Sequence, residues 1–167
     1  MGVAVPHQSL VAKHVGCATA QLARNGSEPM SAYNECDAQR AVFNARYGDY
    51  VDIASTYFFK EVLGQLGITE LDSDDQVVKQ TIEWTATARF DDVLAIAVYI
   101  THVGNTSFTY ATNMTLAETN TPVATSETIA VAVDAKTLQK KPLTEEIKAA
   151  LVAGAPGVVV DHAGFGV

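Results

Sequence analysis

The chain has 167 residues, of which 48% are hydrophobic and 18% charged, and its formal net charge is −8 at pH 7. This length and composition predict one ordinary globular domain with a sizeable core. The acidic balance disfavours nucleic acid and anionic membranes as partners, because both bind basic surfaces. The longest uninterrupted apolar run, residues 93–100, is far shorter than the ~20 residues of a membrane-spanning helix.

Residues 1–28 are interpreted as an N-terminal extension ahead of the main domain. The apolar side chains between Ser9 and Arg24 fall on one side of a helical projection, so the pattern predicts a helix there. No signal peptide is predicted. Two cysteines, Cys17 and Cys36, are too few for the disulfide framework of a small secreted domain, which favours a cytoplasmic protein.

A long helix is predicted from about Asn44 to Leu66. Its apolar residues recur at three- and four-residue spacing, the period of a helix that buries one face. They are Tyr47, Tyr50, Val51, Ala54, Phe58 and Val62. Asn44 is the predicted N-cap, and Gly67 the residue that ends the helix. Asp37 precedes the helix by a short loop, so its carboxylate is expected near the unpaired N–H groups and partial positive charge of a helix start.

Strands are predicted on both sides of this helix. The first is expected over residues 29–36. Three later segments alternate apolar and polar side chains, which is typical of half-buried antiparallel strands. They are residues 78–90, 107–116 and 123–134. Residues 93–103 are apolar at both odd and even positions, which predicts a strand covered on both faces. The Asp residues between 72 and 75 predict a turn.

The chain ends with a predicted short helix from Thr144 to about Ala153 and an extended, Gly-rich tail over residues 154–167. One long helix followed by antiparallel strands gives an α+β fold, with the helix packed across the sheet. A single domain is therefore expected over residues 29–153.

Seven short motifs follow one another in a characteristic order. They are Glu35-Cys36-Asp37, Val42-Phe43-Asn44, Ala45-Arg46-Tyr47, and residues 88–92, 103–108, 123–127 and 141–146. Together they resemble the 4-hydroxybenzoyl-CoA thioesterase family of hotdog-fold acyl-CoA thioesterases, over roughly residues 30–152. The resemblance implies the hotdog fold, an acyl-CoA substrate and no cofactor.

The resemblance also implies roles for individual residues. Asp37 would act as nucleophile or as general base, and the backbone N–H at about Asn44 would polarise the thioester carbonyl. The remaining candidate substrate contacts are Arg40, Val42, Phe43 and Tyr47. Arg40 stands where the family usually has Gly, and it could redirect the loop or pair with Asp37. The two aromatic residues are candidates for an acyl pocket or for the core.

Two features predict a homodimer or homotetramer. Residues 93–103 are apolar on both sides, and residues 124, 126, 128, 130 and 132 are all small, which lets another layer approach closely. Members of the resembled family pair their sheets into dimers and often stack the dimers. The candidate contacts for CoA phosphates are Arg46, Lys79, Arg89, Lys136, Lys140 and Lys141.

Other functions were weighed against thioester hydrolysis. A non-catalytic acyl-CoA-binding or assembly protein on the same fold stays open, with Arg40 blocking turnover. Hotdog hydratase chemistry is disfavoured because no His lies between Met30 and Ile100. The four histidines are scattered without metal-ligand spacing, so no metal site is predicted.

Overall fold

The computed structural model describes residues 9–14, 36–37, 39–67 and 73–161. Its elements, in chain order, are β1 (Ser9–His14), α1 (Arg46–Gly64), β2 (Ser73–Trp84), β3 (Val93–Val103), β4 (Ser107–Leu116), β5 (Pro122–Asp134), α2 (Glu145–Ala153) and β6 (Val159–Asp161). In these described ranges, neither helix is long and apolar enough to cross a membrane.

All six strands form one sheet, in the order β2-β5-β4-β3-β1-β6. Neighbouring strands are antiparallel except β1 and β6, which run parallel. β3, β4 and β5 are joined by short connections, as antiparallel neighbours allow, whereas residues 85–92 cross from β2 to β3, which are not neighbours in the sheet. The predicted α+β class, with a long helix packed across an antiparallel sheet, is confirmed.

The core lies between α1 and one face of the sheet. The predicted apolar stripe of α1 is buried, as are Phe108, Tyr110 and Met114 of β4. The small residues of β5 face this core, where Ala124, Ala130 and their neighbours are almost completely buried. Their small side chains therefore admit the helix of the same chain, which corrects their interpretation as a contact between subunits.

The predicted start of α1 is wrong in detail. The chain already turns before the helix, because the N–H groups of Arg46, Tyr47 and Gly48 donate to the carbonyls three residues earlier, at 2.9, 3.3 and 3.2 Å. Ala45 takes the N-cap position without a side-chain bond. Asn44 is not the N-cap, since those N–H groups are already satisfied by main-chain carbonyls. α1 also ends two residues earlier than predicted, at Gly64 with Gln65 as its C-cap, and Gly67, with a φ of 71°, lies in the turn beyond it. The predicted start of α2 is correct, because Thr144 caps this helix by accepting from Ile147 N.

β2 differs from the half-buried strand that its alternation predicts. It is the edge strand of the sheet, beyond β5, and it is exposed on both faces over most of its length. Val77 is 50% exposed and Val78 61% exposed, and the pairing register shifts between Val77 and Lys79 as at a β-bulge. The strand also begins at Ser73, so residues 73–75 of the predicted acidic turn are part of β2.

β3 is covered unequally within this chain. One face of the strand is buried in the core, through Leu94, Ile96 and Val98, while the other face is only partly covered. Cover of this second face by another subunit stays a prediction. β3 is still a central strand, because it pairs with β4 on one side and β1 on the other.

The prediction of a helix over residues 9–24 is wrong for Ser9–His14, which form β1. This segment pairs with β3 and with β6. Hydrogen bonds to an edge of β3 that would otherwise be unpaired stabilise a strand here more than the short apolar pattern stabilises a helix, because strand formation depends on tertiary partners. The other residues of the predicted N-terminal helix, and the predicted strand over 29–35, lie outside the described residues. The domain boundaries at 28/29 and 153/154 stay predictions, although both flanking segments contribute strands to the sheet.

Candidate active site

The segment before α1 is a small hairpin. Cys36 and Val42 pair across it, and Asp37 N donates to Ala41 O at 2.8 Å. Arg40 N donates to Asp37 O at 2.9 Å, and Arg40 itself has a φ of 61°. A left-handed residue just before the second arm is common in short hairpins. Residues 36–37 and 39–42 are called the Asp37 hairpin below.

The carboxylate of Asp37 is held by the main chain of its own hairpin. Its Oδ1 accepts from Gln39 N at 2.8 Å and from Ala41 N at 3.0 Å. Its Oδ2 accepts no hydrogen bond from the described residues, and the side chain is only partly buried. One oxygen is therefore fixed by two backbone donors, while the other is left open to a ligand or to water.

Arg40 does not pair with Asp37. Its guanidinium carbon lies 5.4 Å from the centroid of the Phe90 ring, within the range of a cation–π contact. The left-handed φ at this position explains why the resembled family uses Gly there, since Gly adopts it without steric cost. The expectation that Arg40 occupies the carboxylate is wrong, because the stack on Phe90 directs the guanidinium elsewhere.

Residues 88–90 hold the Asp37 hairpin against the domain. Val42 N donates to Ala88 O at 3.0 Å, and Phe90 N donates to Arg40 O at 3.0 Å. The N–H of the same residue, Ala88, donates to the hydroxyl of Tyr47 at 3.2 Å. The first turn of α1 and the hairpin are therefore both tied to the main chain of Ala88.

Two of the predicted substrate contacts belong to the core. Tyr47 is 1% exposed and packs edge-on against Tyr50 and Trp84. Burial raises the pKa of the Tyr47 phenol, partly offset by the hydrogen bond from Ala88. Val42 is also buried. The side chains of Tyr47 and Val42 pack in the core beneath the hairpin and do not line an open acyl site in this chain.

Phe43 and Asn44 lie at the open side of the helix start. Phe43 is 46% exposed, and Asn44 is exposed as well. Within the described part of the chain, the backbone N–H groups of Asn44 and Ala45 donate no hydrogen bond. Free N–H groups at a helix start favour negative charge nearby. The structure thus places a partly free carboxylate and two free N–H groups on neighbouring segments.

A cleft of about 660 Å³ opens beside the same helix. Its lining comes from α1, β2 and β4, and is formed by Asp52, Ser55, Thr56, Phe59, Lys60, Leu63, Gly64, Asp75, Val77 and Tyr110. Burial raises the pKa of Tyr110, while hydrogen bonds from Ser55 and Thr128 lower it in part. At 1.5 Å per residue, Asp52 lies about 9 Å along the axis from the first residue of α1. Sequence reasoning missed this cleft because its walls are distant along the chain.

The candidate phosphate contacts fall into separate groups. Arg46 is the first residue of α1 and pairs with Asp49 at 2.8 Å, while Arg89 pairs through its backbone with Ala41 of the hairpin. Lys79 lies on β2. Lys136, Lys140 and Lys141 follow the end of β5 that pairs with the start of β2, away from the hairpin. Only the arginines are therefore gathered near Asp37.

Solved structures of several thioesterases share this fold. A variant of 4-hydroxybenzoyl-CoA thioesterase complexed with 4-hydroxybenzoyl-CoA is 16% identical, with a TM-score of 0.67 over 87% of this chain and 99% of that one. A 1,4-dihydroxy-2-naphthoyl-CoA thioesterase from Synechocystis is 20% identical, with a TM-score of 0.60 over 70% and 87%. A probable thioesterase from Escherichia coli is 22% identical, with a TM-score of 0.63 over 72% and 91%.

Among curated proteins, none matches the chain significantly in sequence. The family comparison is decisive, because a family model described as the thioesterase-like superfamily matches residues 32–151, which is most of the chain. This confirms the resemblance carried by the sequence motifs, and the class of reaction, thioester hydrolysis, follows from the family. The chain belongs to the thioesterase-like superfamily.

Proposed function

We propose that this protein hydrolyses an acyl-CoA thioester to the free acid and CoA, with Asp37 as its reacting carboxylate. One observation carries the proposal: Oδ1 of Asp37 is fixed by two backbone N–H groups, while Oδ2 accepts no hydrogen bond from the described part of the chain. A carboxylate oriented in this way needs no further rearrangement to attack or to accept a proton. The family assignment and the position of Asp37 just ahead of α1 support the same role.

Two routes use the same oxygen. In the first, Oδ2 attacks the thioester carbonyl carbon, CoA leaves as a thiolate that takes a proton, and water hydrolyses the resulting mixed anhydride. In the second, Oδ2 takes a proton from a water molecule, which attacks the carbonyl directly and again expels the thiolate. Both routes place negative charge on the carbonyl oxygen in the transition state. Both therefore require a donor for that oxygen.

The proposed donor is the free main chain at the start of α1. The N–H groups of Asn44 and Ala45 have no partner among the described residues, and the helix adds a partial positive charge at this end. Donors of this kind contribute about 10²–10³ in rate. The role proposed for Asn44 thus rests on its backbone, and no role is assigned to its side chain.

The cleft beside α1 is the proposed site of the acyl group. Phe59, Leu63 and Val77 supply apolar surface, and the Tyr110 hydroxyl adds a buried polar group. A volume of about 660 Å³ falls within the range of small-molecule pockets, roughly 300–1,000 Å³. Phe43 would contact the substrate between this cleft and the carboxylate.

The CoA moiety is proposed to lie over the hairpin side of the site. Arg89 is exposed there, and a guanidinium group suits phosphate oxygens because it donates in a planar fork. Such a local positive charge would favour an anionic ligand despite the net charge of −8. The cytoplasm, where CoA thioesters are metabolised, is the proposed location.

A homodimer, which could pair further into a homotetramer, is proposed through the edge of β2. This strand is long and unpaired on one side in the chain described here. Val77, Val78 and Trp84 are exposed along it, and such edges in native proteins are normally covered or paired. A second copy at this edge would also cover the open side of the cleft, to which Val77 contributes.

The oligomer is tested by light scattering at micromolar concentration. Val78→Lys, which places a charge on the edge, is expected to dissociate the assembly. The matched control is Val152→Lys, because Val152 is 65% exposed and lies on α2. A wild-type protein that is a stable monomer would contradict the proposal.

The activity is tested with a panel of aromatic and aliphatic acyl-CoA substrates, with the released thiol detected directly. Turnover of at least one substrate class, lost in Asp37→Asn, is the expected result. Binding without release of thiol would instead favour the alternative, an acyl-CoA-binding or assembly protein. Full activity of Asp37→Asn would remove Asp37 from the mechanism.

A further inference from the structure

The left-handed residue of the Asp37 hairpin is an arginine that is paired with an aromatic ring. Arg40 has a φ of 61°, and its guanidinium lies over the Phe90 ring at 5.4 Å. The two residues are also joined by the main-chain bond from Phe90 N to Arg40 O at 3.0 Å. Arg40 and Phe90 are therefore joined both by their side chains and by their main chains.

The conformation of residue 40 determines how the Asp37 carboxylate is held. The two donors to Oδ1 are the N–H groups of Gln39 and Ala41, on either side of Arg40. If residue 40 left the left-handed region, these two N–H groups could not both point at one oxygen. A residue with a Cβ populates that region about 5- to 30-fold less readily than the right-handed one.

We propose that Arg40 and Phe90 form a positioning pair, in which the stack holds residue 40 left-handed and thereby keeps both backbone donors on Asp37. The proposal rests on the proposed function of Asp37 as the reacting carboxylate. Phe90 is not a substrate contact in this scheme, since it acts only through Arg40. In this chain the pair keeps residue 40 left-handed, a conformation that Gly adopts without help at the same position in the resembled family.

The pair predicts a specific order among variants of residue 40. Arg40→Gly keeps or raises kcat, because Gly adopts the left-handed conformation without help. Arg40→Ala keeps the Cβ and loses the stack, so its kcat falls about two- to fivefold, the strength of an exposed cation–π contact. A residue that served only to bind phosphate would show the same rise in KM for both variants and no difference in kcat.

Phe90→Leu tests the other half of the pair. It removes the ring while keeping an apolar side chain, and kcat is expected to fall about two- to fivefold, the strength of an exposed cation–π contact. In the Arg40→Gly background, the same change is expected to leave kcat unaltered, because residue 40 no longer needs the stack. A double-mutant cycle isolates this coupling from any loss of core packing by Phe90.

Hydrogen exchange provides a readout that does not depend on activity. The amides of Gln39 and Ala41 are expected to exchange faster in Arg40→Ala and in Phe90→Leu, and at wild-type rates in Arg40→Gly. Leu138→Gly is the matched control, since Leu138 also has a positive φ, of 56°, in an exposed turn. That control is expected to leave the exchange of both hairpin amides unchanged.

The outcomes separate this inference from the proposed function. If no acyl-CoA is hydrolysed by the wild-type protein, the proposed function fails, while hydrogen exchange still decides whether the pair orders the hairpin. Phe90→Leu is compared in the wild-type and Arg40→Gly backgrounds. If it changes kcat and amide exchange equally in both, the positioning pair is overturned. A loss of kcat in Arg40→Gly as large as that in Arg40→Ala would overturn it as well.

Discussion

The two ends of α1 are built in different ways. At the N-terminal end, main-chain hydrogen bonds hold a small hairpin and orient the carboxylate of Asp37. Along the C-terminal half, side chains such as Phe59 and Leu63 line an open cleft. Main-chain bonds fix a reacting group to within a fraction of an ångström, whereas side chains define a volume whose shape changes easily with sequence.

If Asp37 and the cleft act as proposed, this difference suits the two regions to separate tasks. A geometry built from backbone atoms tolerates changes in side chains, which suits chemistry common to a family. A cleft lined by side chains suits the choice of substrate, which differs among related enzymes. Variants at the hairpin are therefore expected to change kcat, and variants in the cleft to change which acyl groups are accepted.

The largest expected effect is at the carboxylate itself. Asp37→Asn keeps the volume and one oxygen for the backbone donors but loses the negative charge. We expect a loss in kcat of about 10²- to 10⁴-fold, the usual contribution of a positioned acid or base. Folding, followed by circular dichroism, and CoA binding, followed by calorimetry, should stay close to wild type.

The two chemical routes are distinguished by a single turnover in ¹⁸O-labelled water. If the anhydride forms and water attacks its aspartyl carbon, label enters the carboxylate of Asp37. Label in the protein, measured by mass spectrometry, would establish covalent catalysis. Asp37→Asn, treated in the same way, is the control and should take up none.

The second prediction concerns the cleft. Gly64 is the last residue of α1 and lines the cleft, and a Cβ built on it meets no atom within 4 Å. Gly64→Leu should therefore fill part of the volume without strain. We expect kcat/KM for bulky acyl groups to fall about tenfold or more, with short acyl groups little affected, since each pocket methylene counts for about 1–3 kcal/mol.

Stability distinguishes this effect from damage to the fold. Replacing a helical Gly should raise the free energy of unfolding by up to about 1 kcal/mol, so Gly64→Leu becomes more stable while losing bulky substrates. Gly64→Ala is the control, because it shares the helical gain and fills little space. An equal loss of all substrates in Gly64→Leu would show that the acyl group does not lie in this cleft.

The same contrast explains what could be predicted from the sequence. The position of Asp37 just ahead of a helix was predicted because a short local motif precedes a strongly periodic segment, and α2 was predicted from Thr144 and its flanking signals. The alternation of Phe108, Tyr110 and Met114 also gave the correct buried face. Each of these depends on residues close together in the chain, where spacing alone carries the information.

Features that depend on distant segments were missed. β1 exists because Ser9–His14 meets the edge of β3, and β2 is exposed because it is the edge strand beyond β5. The choice between substrate contact and core stayed open for Tyr47, because nothing local revealed that its hydroxyl accepts from Ala88 N. The left-handed conformation of Arg40 was also hidden, since an Arg gives no sign of it.

The third prediction tests the support behind the hairpin. Tyr47→Phe removes the only described acceptor of the Ala88 N–H, and a buried unsatisfied N–H costs about 1–3 kcal/mol. We expect the free energy of unfolding to fall by that amount in denaturant titrations, with a smaller loss in kcat because Ala88 also holds Val42 of the hairpin. Tyr99→Phe, on the partly covered outer face of β3, is the control and should change neither quantity.

The smallest effect is a pH dependence at the rim of the cleft. Burial, and then the charge of Asp49, raise the pKa of Asp52 above its ordinary value of 3.8. The folded state therefore favours the protonated carboxyl, so this contribution to stability is present below pH 3.8 and is lost as pH rises through the raised pKa. Asp52→Asn cannot ionise, so unfolding measured from pH 3 to pH 7 should show the variant gaining stability relative to wild type across that window.

Asp134 provides a control of opposite sign in the same titration. Hydrogen bonds from the backbone and hydroxyl of Thr137 and from the backbone of Lys136 lower the pKa of Asp134. Its ionised form is favoured by folding, so its contribution is present above the ordinary value of 3.8 and is lost as pH falls through the lowered pKa. Asp134→Asn should thus lose stability relative to wild type as pH rises. If the stability differences of the two variants from wild type changed with pH in the same direction, the cleft would not shield Asp52 from water. The contrast between a solvated turn and a partly enclosed cleft would then fail at this residue.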